Sequence, residues 1–190
     1  EERLEKIFHP QSYGYRPKRS AHQALEQVRK NCWKYDWVID LDIKNFFDDI
    51  DHEKLLKALG KHVEEKWVLR YIERWLKAPL QNRKGEIIAR TDGTPQGGVI
   101  SPLLANLFLH YTLDVWLGRS SPSIEFVRYA DDIIIHCRTQ SQAEQSLQQI
   151  KERVGNCGLT LHPDKTKIVY CKDFRRQQKY QRVQFDFLGY

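Results

Sequence analysis

Residues 126–137 read FVRYADDIIIHC. Two adjacent acids, Asp131 and Asp132, stand inside a run of β-forming, mostly apolar residues. Aspartate is depleted in strands, and an ionised carboxylate against apolar surface is costly unless something offsets its charge. The flanking apolar runs predict a β-hairpin. Tight hairpin turns favour Asn-Gly or Asp-Gly, however, and Asp-Asp brings no glycine. The turn alone does not account for the two acids.

A second stretch, WVIDLDI at 37–43, repeats the pattern. Alternate residues of a strand face the same way, so Trp37, Ile39, Leu41 and Ile43 share one face and Val38, Asp40 and Asp42 the other. The first is a core face. An edge strand with a solvated side would also explain the second. If the two acid-bearing strands lie close, three or four carboxylates converge, and they repel strongly unless cations intervene. Hard divalent cations, Mg²⁺ or Mn²⁺, suit an all-oxygen site. Two such ions side by side form the clamp used for in-line displacement at phosphorus. The pattern points to phosphoryl or nucleotidyl transfer, or to a nuclease.

Around these strands the chain reads as helices and turns. Ser20 caps a helix over 21–34, with Ala21, Leu25, Val28 and Cys32 on one stripe. Asp51 caps a second over 52–63, and 64–78 form a third, ended by Pro79. Residues 80–91 predict a hairpin turning at RKGE (83–86). SPLLANLFLHYTLDVWLG (101–118) is the clearest helix, with Ser101 at the N-cap, Pro102 at N1 and Gly118 at its end. A helix over 142–154 and strands near 167–171 and 184–188 close the chain. No repeat, linker or low-complexity tract divides it, so one domain is expected. Strands and helices alternate without a regular βαβ march, which predicts an α+β fold: an antiparallel sheet with helices on one face.

Composition narrows the class. With 190 residues, 41% of them hydrophobic, the chain can bury a real core. No window approaches the ~18 apolar residues of a membrane span, and EERLEKIF (1–8) is no signal peptide. A soluble, cytoplasmic protein is expected. Cys32, Cys137, Cys157 and Cys171 form no CxxC pair and read as small core hydrophobes in a reducing compartment. The histidines make no zinc pattern. A net charge of +6 fits a polyanionic partner without demanding one. The excess gathers at YRPKR (15–19) and KDFRRQQKYQR (172–182), and a solvated loop explains either run equally well. Two further stretches carry chemistry. The Gly-Gly pair of DGTPQGGVISP (92–102) lets a backbone approach a ligand closely. Lys165, in LTLHPDKTKI (159–168), follows a turn, and beside a bound triphosphate a lysine there can protonate the leaving pyrophosphate.

In order, SYGYRPKRS (12–20), LDIKNFFDDIDH (41–52), GTPQGGVISPLLANLFL (93–109), RYADD (128–132), GLTLHPDKTK (158–167) and FDFLGY (185–190) resemble the fingers–palm region of group II intron reverse transcriptases. Those proteins are also the maturases that help their intron RNA to splice. RYADD alone is a weak signal, whereas six blocks in order, from about Phe8 to Tyr190, are very specific.

The resemblance implies a right-hand polymerase palm with an antiparallel sheet packed on helices, plus part of the fingers. Residues 1–36 and 52–95 would be fingers, and 37–51 and 96–190 palm. It implies that Asp42, Asp131 and Asp132 hold two Mg²⁺ ions, with Mn²⁺ an option, and that Lys165 is the general acid. Asp40 shares the face of Asp42, but the family pattern favours Asp42. Phe47 would exclude a ribose 2′-OH, with Phe46 the adjacent suspect. Gln96, Gly97 and Gly98 would lie against the incoming nucleotide and template, and Arg16 and Arg19 near template RNA. FDFLGY would begin a primer-gripping hairpin. Implied partners are an RNA template, a DNA or RNA primer, dNTPs and, for the parent protein, intron RNA. The family's basic block before RPxRS and its N-terminal extension are not found, and no thumb, maturase or endonuclease block is read. Two other readings stay open: a non-catalytic RNA- or protein-binding palm module, and a reverse transcriptase of a CRISPR-associated, retron or diversity-generating system.

Overall fold

A computed structural model describes residues 2–190 apart from Asn82, Arg83 and Gln96. The chain runs α1 (Glu2–Glu5), α2 (Ala21–Cys32), β1 (Trp37–Leu41), β2 (Ile43–Lys44), α3 (His52–Leu59), α4 (Lys66–Lys77), β3 (Leu80–Gln81), β4 (Ile87–Ile88) and α5 (Ser101–Leu109). A π-helical segment (His110–Asp114) leads into α6 (Val115–Ser120), and then come β5 (Glu125–Tyr129), β6 (Asp132–Cys137), α7 (Gln140–Asn156), β7 (Thr160–Leu161) and β8 (Lys167–Tyr170).

Four strands make the main sheet, ordered β5-β6-β1-β8, with every named pairing antiparallel. β1 is therefore internal, not an edge. Its alternation sorts as the sequence predicts: Trp37, Ile39, Leu41 and Ile43 face a large core with Ile133, Ile135 and Cys137 of β6. Leucines 104, 107, 109 and 113, no more than 2% exposed, fill that core from α5 and the π segment. Each such side chain contributes roughly 1.5–3 kcal/mol on burial. The opposite face is also covered. Val38, Val127 and Ile134 pack with Ala24 and Val28 of α2 and with Phe187. Helices thus lie on both faces of the sheet, because β-branched residues alternate on both sides of β6.

Local rules place most helix starts. Ser20 and Gln23 form a reciprocal capping box at α2, and the carboxylates and hydroxyls of Asp51 and Thr139 accept from Lys54 N and Gln142 N at α3 and α7. Ser101 differs from expectation: Ile100 is the cap, and the Ser101 hydroxyl donates to the Pro95 carbonyl, tying the preceding loop to the helix. Gly118 lies inside α6, which runs on to Ser120. The long helix is broken at His110–Asp114 by wider π turns. There the Arg153 guanidinium of α7 donates to the carbonyls of Tyr111 and Thr112, each at 2.9 Å, and so satisfies acceptors that the wider turns free. The expected hairpin after Pro79 forms, with Leu80 opposite Ile88 and Gln81 opposite Ile87, while Arg83 of its turn lies outside the described residues. The strand expected at 184–188 does not form. That stretch is irregular and ends in a turn closed by Phe187 and Tyr190, with Leu188 at φ +57° and Gly189 at +81°.

Candidate active site

The doubled-acid stretch is a two-residue hairpin. Tyr129 pairs with Asp132, leaving Ala130 and Asp131 as the turn. Ala130 takes a left-handed φ of +55°, an uncommon conformation for a residue with a Cβ. Three groups hold it there. Gly14 lies directly on the turn, where a Cβ would stand 2.3 Å from Ala130 N. The Arg128 guanidinium donates to the Ala130 carbonyl at 3.0 Å and to Asn106 Oδ1 at 2.8 Å. Asn106 in turn donates to the Gly14 carbonyl at 2.8 Å.

Asp42 follows β1, whose last pair with β6 is Leu41–Ile133. One more step in that register sets Asp42 beside Asp132, on the face opposite the large core. Asp42 and Asp131 line one open cleft with Lys165, Phe46, Phe47 and His162. Lys165 reaches it because 162–166 turns back on itself: Thr166 N donates to the His162 carbonyl, and His162 N to the Asp42 carbonyl at 2.8 Å. The Lys165 ammonium then lies 3.2 Å from Asp42 Oδ2. Burial pushes the carboxyls of Asp131 and Asp132 above the usual range, and the charge of Asp42 raises both further. Asp40 is pushed up to about 6, first by burial and then, against the opposing pull of Lys167, by Asp132 and Asp42.

Among the described residues no three acidic, histidine or cysteine side chains converge tightly enough to cage a metal ion. The donor chemistry nonetheless fits a hard divalent cation. The ligands are oxygens only, the charge of Asp42 helps to raise the pKa of Asp131 and Asp132, and a cation already stands at Asp42 in the form of the Lys165 ammonium.

Phe46 is 2% exposed and belongs to the core, whereas half-buried Phe47 reaches the cleft surface. The glycine-rich loop is anchored to this same stretch: Thr94 N donates to the Phe47 carbonyl and Gly93 N to the Ile50 carbonyl, while His52 Nε2 bonds the Gly93 carbonyl at 2.6 Å. Gly98 packs where a Cβ would meet Ser101 Oγ and Trp75, but Gly97 faces open space. Gln96 lies outside the described residues. Arg16 departs from expectation. It is buried, and its guanidinium bonds the Glu5 carboxylate and the carbonyls of Glu5, His9 and Ser12, so no face remains for a template. Arg19 is exposed and lies over the Tyr13 ring.

Sequence reasoning missed the braces of the site: Gly14, Gly93, Asn106, Asp114 and Arg128. One signal was available. A lone arginine in the apolar strand FVRY and a lone aspartate in the apolar helix LFLHYTLDVWL are each costly to bury, and each offsets the other.

Compared with known families, residues 1–190 match the model described as reverse transcriptase (RNA-dependent DNA polymerase). The chain belongs to the reverse transcriptase family. Chemistry with divalent metals is general in that family. This reverse transcriptase chain is 30% identical over 206 residues to protein YkfC of Escherichia coli, covering 89% of the chain and 54% of YkfC. It is 38% identical over 107 residues to the group II intron-encoded protein LtrA of Lactococcus lactis, covering 56% of the chain and 18% of LtrA. The chain thus spans about half of YkfC and less of LtrA. Telomerase from Candida albicans, solved in complex with a fragment of telomeric RNA, superposes with a TM-score of 0.68 at 14% identity over 94% of the chain and 33% of telomerase. That likeness concerns the fold: an antiparallel sheet packed with helices, as in the palm and fingers of a reverse transcriptase.

Proposed function

We propose that this chain is the polymerising core of a group II intron-type reverse transcriptase, extending a primer 3′ end with deoxynucleotides on an RNA template. The carrying observation is one cleft that joins Asp42, Asp131, Lys165 and Phe47, residues drawn from three separate sequence blocks. Asp42, Asp131 and Asp132 would hold two Mg²⁺ ions, which supply activation of the primer hydroxyl and neutralisation of the triphosphate. The primer 3′-OH releases its proton to solvent and its oxygen forms a bond to the α-phosphorus while the bond from that phosphorus to the pyrophosphate oxygen breaks. Lys165, its ammonium beside Asp42, gives a proton to the departing pyrophosphate. Phe47 stands under the sugar and leaves no room for a 2′-OH. Residues 37–51 and 96–190 serve as palm, and 1–36 and 52–95 as fingers. A cytoplasmic setting is supported by four free thiols. Intron RNA is the partner in the parent protein.

Primer extension on poly(rA)·oligo(dT) with dTTP and Mg²⁺ tests the reading, with Asp131→Asn as the control. Extension that vanishes in the variant supports it. RNA binding without extension by either protein would favour a docking module that keeps the palm fold.

A further inference from the structure

A second concavity lies between α3, the π segment, α6 and α7. Its walls carry Lys54, Lys57, Lys61, Arg119 and Arg153, with Tyr111 and Trp116 between them and no carboxylate. It shares no residue with the cleft of Asp42 and Asp131. The cations come together through the fold. Lys54 and Lys57 are one turn apart on α3, and Lys61 follows in the turn after it. Arg119 comes from α6 and Arg153 from α7.

Only Lys54 of these five has an ion pair among the described residues, with Asp51 at 2.8 Å. Arg153 is fixed by neutral carbonyls, which hold its guanidinium in place without cancelling its charge. Lys61 is seated over the Tyr111 ring at 4.4 Å, and the Tyr111 hydroxyl is tied to His62 Nε2 at 2.6 Å. By contrast, Arg16 and Arg176, from the two basic runs of the sequence, are engaged by Glu5 and by Asp36 and Asp173. Like charges around one concavity repel, and among the described residues only Lys54 has an acid to offset it; a polyanion would offset the other four.

We propose that this groove is a second RNA-binding site, which grips the phosphate backbone of a strand apart from the polymerising cleft. Phosphates recur at short intervals along a strand and would meet the several cations that line the groove, and Trp116 supplies a ring against which a base can stack. The choice of RNA among polyanions rests on the polymerase reading above.

The test is anisotropy of labelled oligo(U) titrated with the protein at several salt concentrations, comparing wild type with Lys57→Glu/Lys61→Glu/Arg119→Glu. All three side chains are exposed, so the fold should persist, and circular dichroism checks it. Affinity should fall on the order of tenfold or more, and the slope of log K against log salt should shrink by about 2, at ~0.7 for each charge lost. Extension of a saturating, pre-annealed template–primer should continue at the wild-type rate. Trp116→Ala should weaken binding without changing the salt slope. Unchanged affinity and slope in the triple variant would overturn the proposal, as would polyglutamate competing as well as poly(U). Asp131→Asn separates the two readings, because it should stop extension and leave the anisotropy titration unaltered. A protein that binds oligo(U) through the groove yet never extends a primer would count against the polymerase reading alone.

Discussion

Arg128 Nε and Nη2 donate to the two carboxylate oxygens of Asp114 at 2.9 and 2.7 Å, and both side chains are wholly buried. The remaining donor, Nη1, reaches Asn106 and the Ala130 carbonyl, so one guanidinium joins the π-helical segment to the turn that carries Asp131. Asp114→Ala would leave that charge buried and unpaired, at a cost of ~3–5 kcal/mol by urea unfolding. The pH dependence has a definite sign. Burial alone would raise the Asp114 carboxyl. The charge and hydrogen bonds of Arg128, with the His110 ring 3.8 Å away, outweigh it and hold the group below its ordinary 3.8. A carboxylate depressed in the fold contributes stability above its ordinary value and loses it as pH falls through the native one. The stability gap between wild type and Asp114→Asn should therefore be full at neutral pH and narrow below about pH 4. A gap that stayed constant into acid would mean that the pair is not what holds the hairpin.

Gly14 and Gly93 have no space for a methyl group. At Gly14 the Cβ would meet Ala130 N at 2.3 Å, and at Gly93, with φ +79°, it would meet Asp48 O at 2.7 Å and Phe47 O at 2.8 Å. Gly97 has the same φ but open surroundings. Alanine at Gly97 should cost about 1 kcal/mol of backbone strain, and at Gly93 or Gly14 ~1–3 kcal/mol or more from overpacking. Thermal melts of the three variants rank the costs. Gly14→Ala should also lose more than tenfold in extension rate, because the backbone it displaces, at Tyr129 and Ala130, leads directly into Asp131. Equal effects at Gly93 and Gly97 would remove steric contact as the cause.

Both phenylalanines border the cleft, but Phe47 is half-buried there whereas Phe46 is 2% exposed and belongs to the core. Phe47→Ala should admit ribonucleotides, read as a fall of at least tenfold in the ratio of dNTP to rNTP incorporation, with little loss of stability. Phe46→Ala should instead destabilise the protein by ~3–5 kcal/mol. Unchanged sugar preference in Phe47→Ala would assign the gate elsewhere.

The neighbouring Cys171 thiol, and after it His136, lower the pKa of the Cys32 thiol, with burial opposing. Burial pushes Cys137 up to about 12. Iodoacetamide near neutral pH should label Cys32 first and leave Cys137 untouched until unfolding, as peptide mass mapping would show. Cys171→Ala should slow the labelling of Cys32. If Cys32 reacted no faster in wild type than in that variant, the thiol pair would have no bearing on its reactivity.

Much of this protein was written in short-range pattern. Period-2 alternation assigned β1 to a core face, caps at Ser20 and Asp51 started two helices, and paired acids in apolar strands marked the candidate site. These signals survive in the bare sequence because each is a local free-energy cost or gain that neighbouring residues set. Tertiary packing decided what depends on distant residues. Lys165 meets Asp42 across 123 positions, and Arg16 turns inward to Glu5 and nearby carbonyls rather than outward to a template. The 184–188 stretch packs Phe187 beneath α2 instead of pairing as a strand. The acids were legible because a buried charge is costly wherever it stands. Their braces and the cationic groove were not, because a charge pair or an uncompensated cluster exists only once separate elements are brought together.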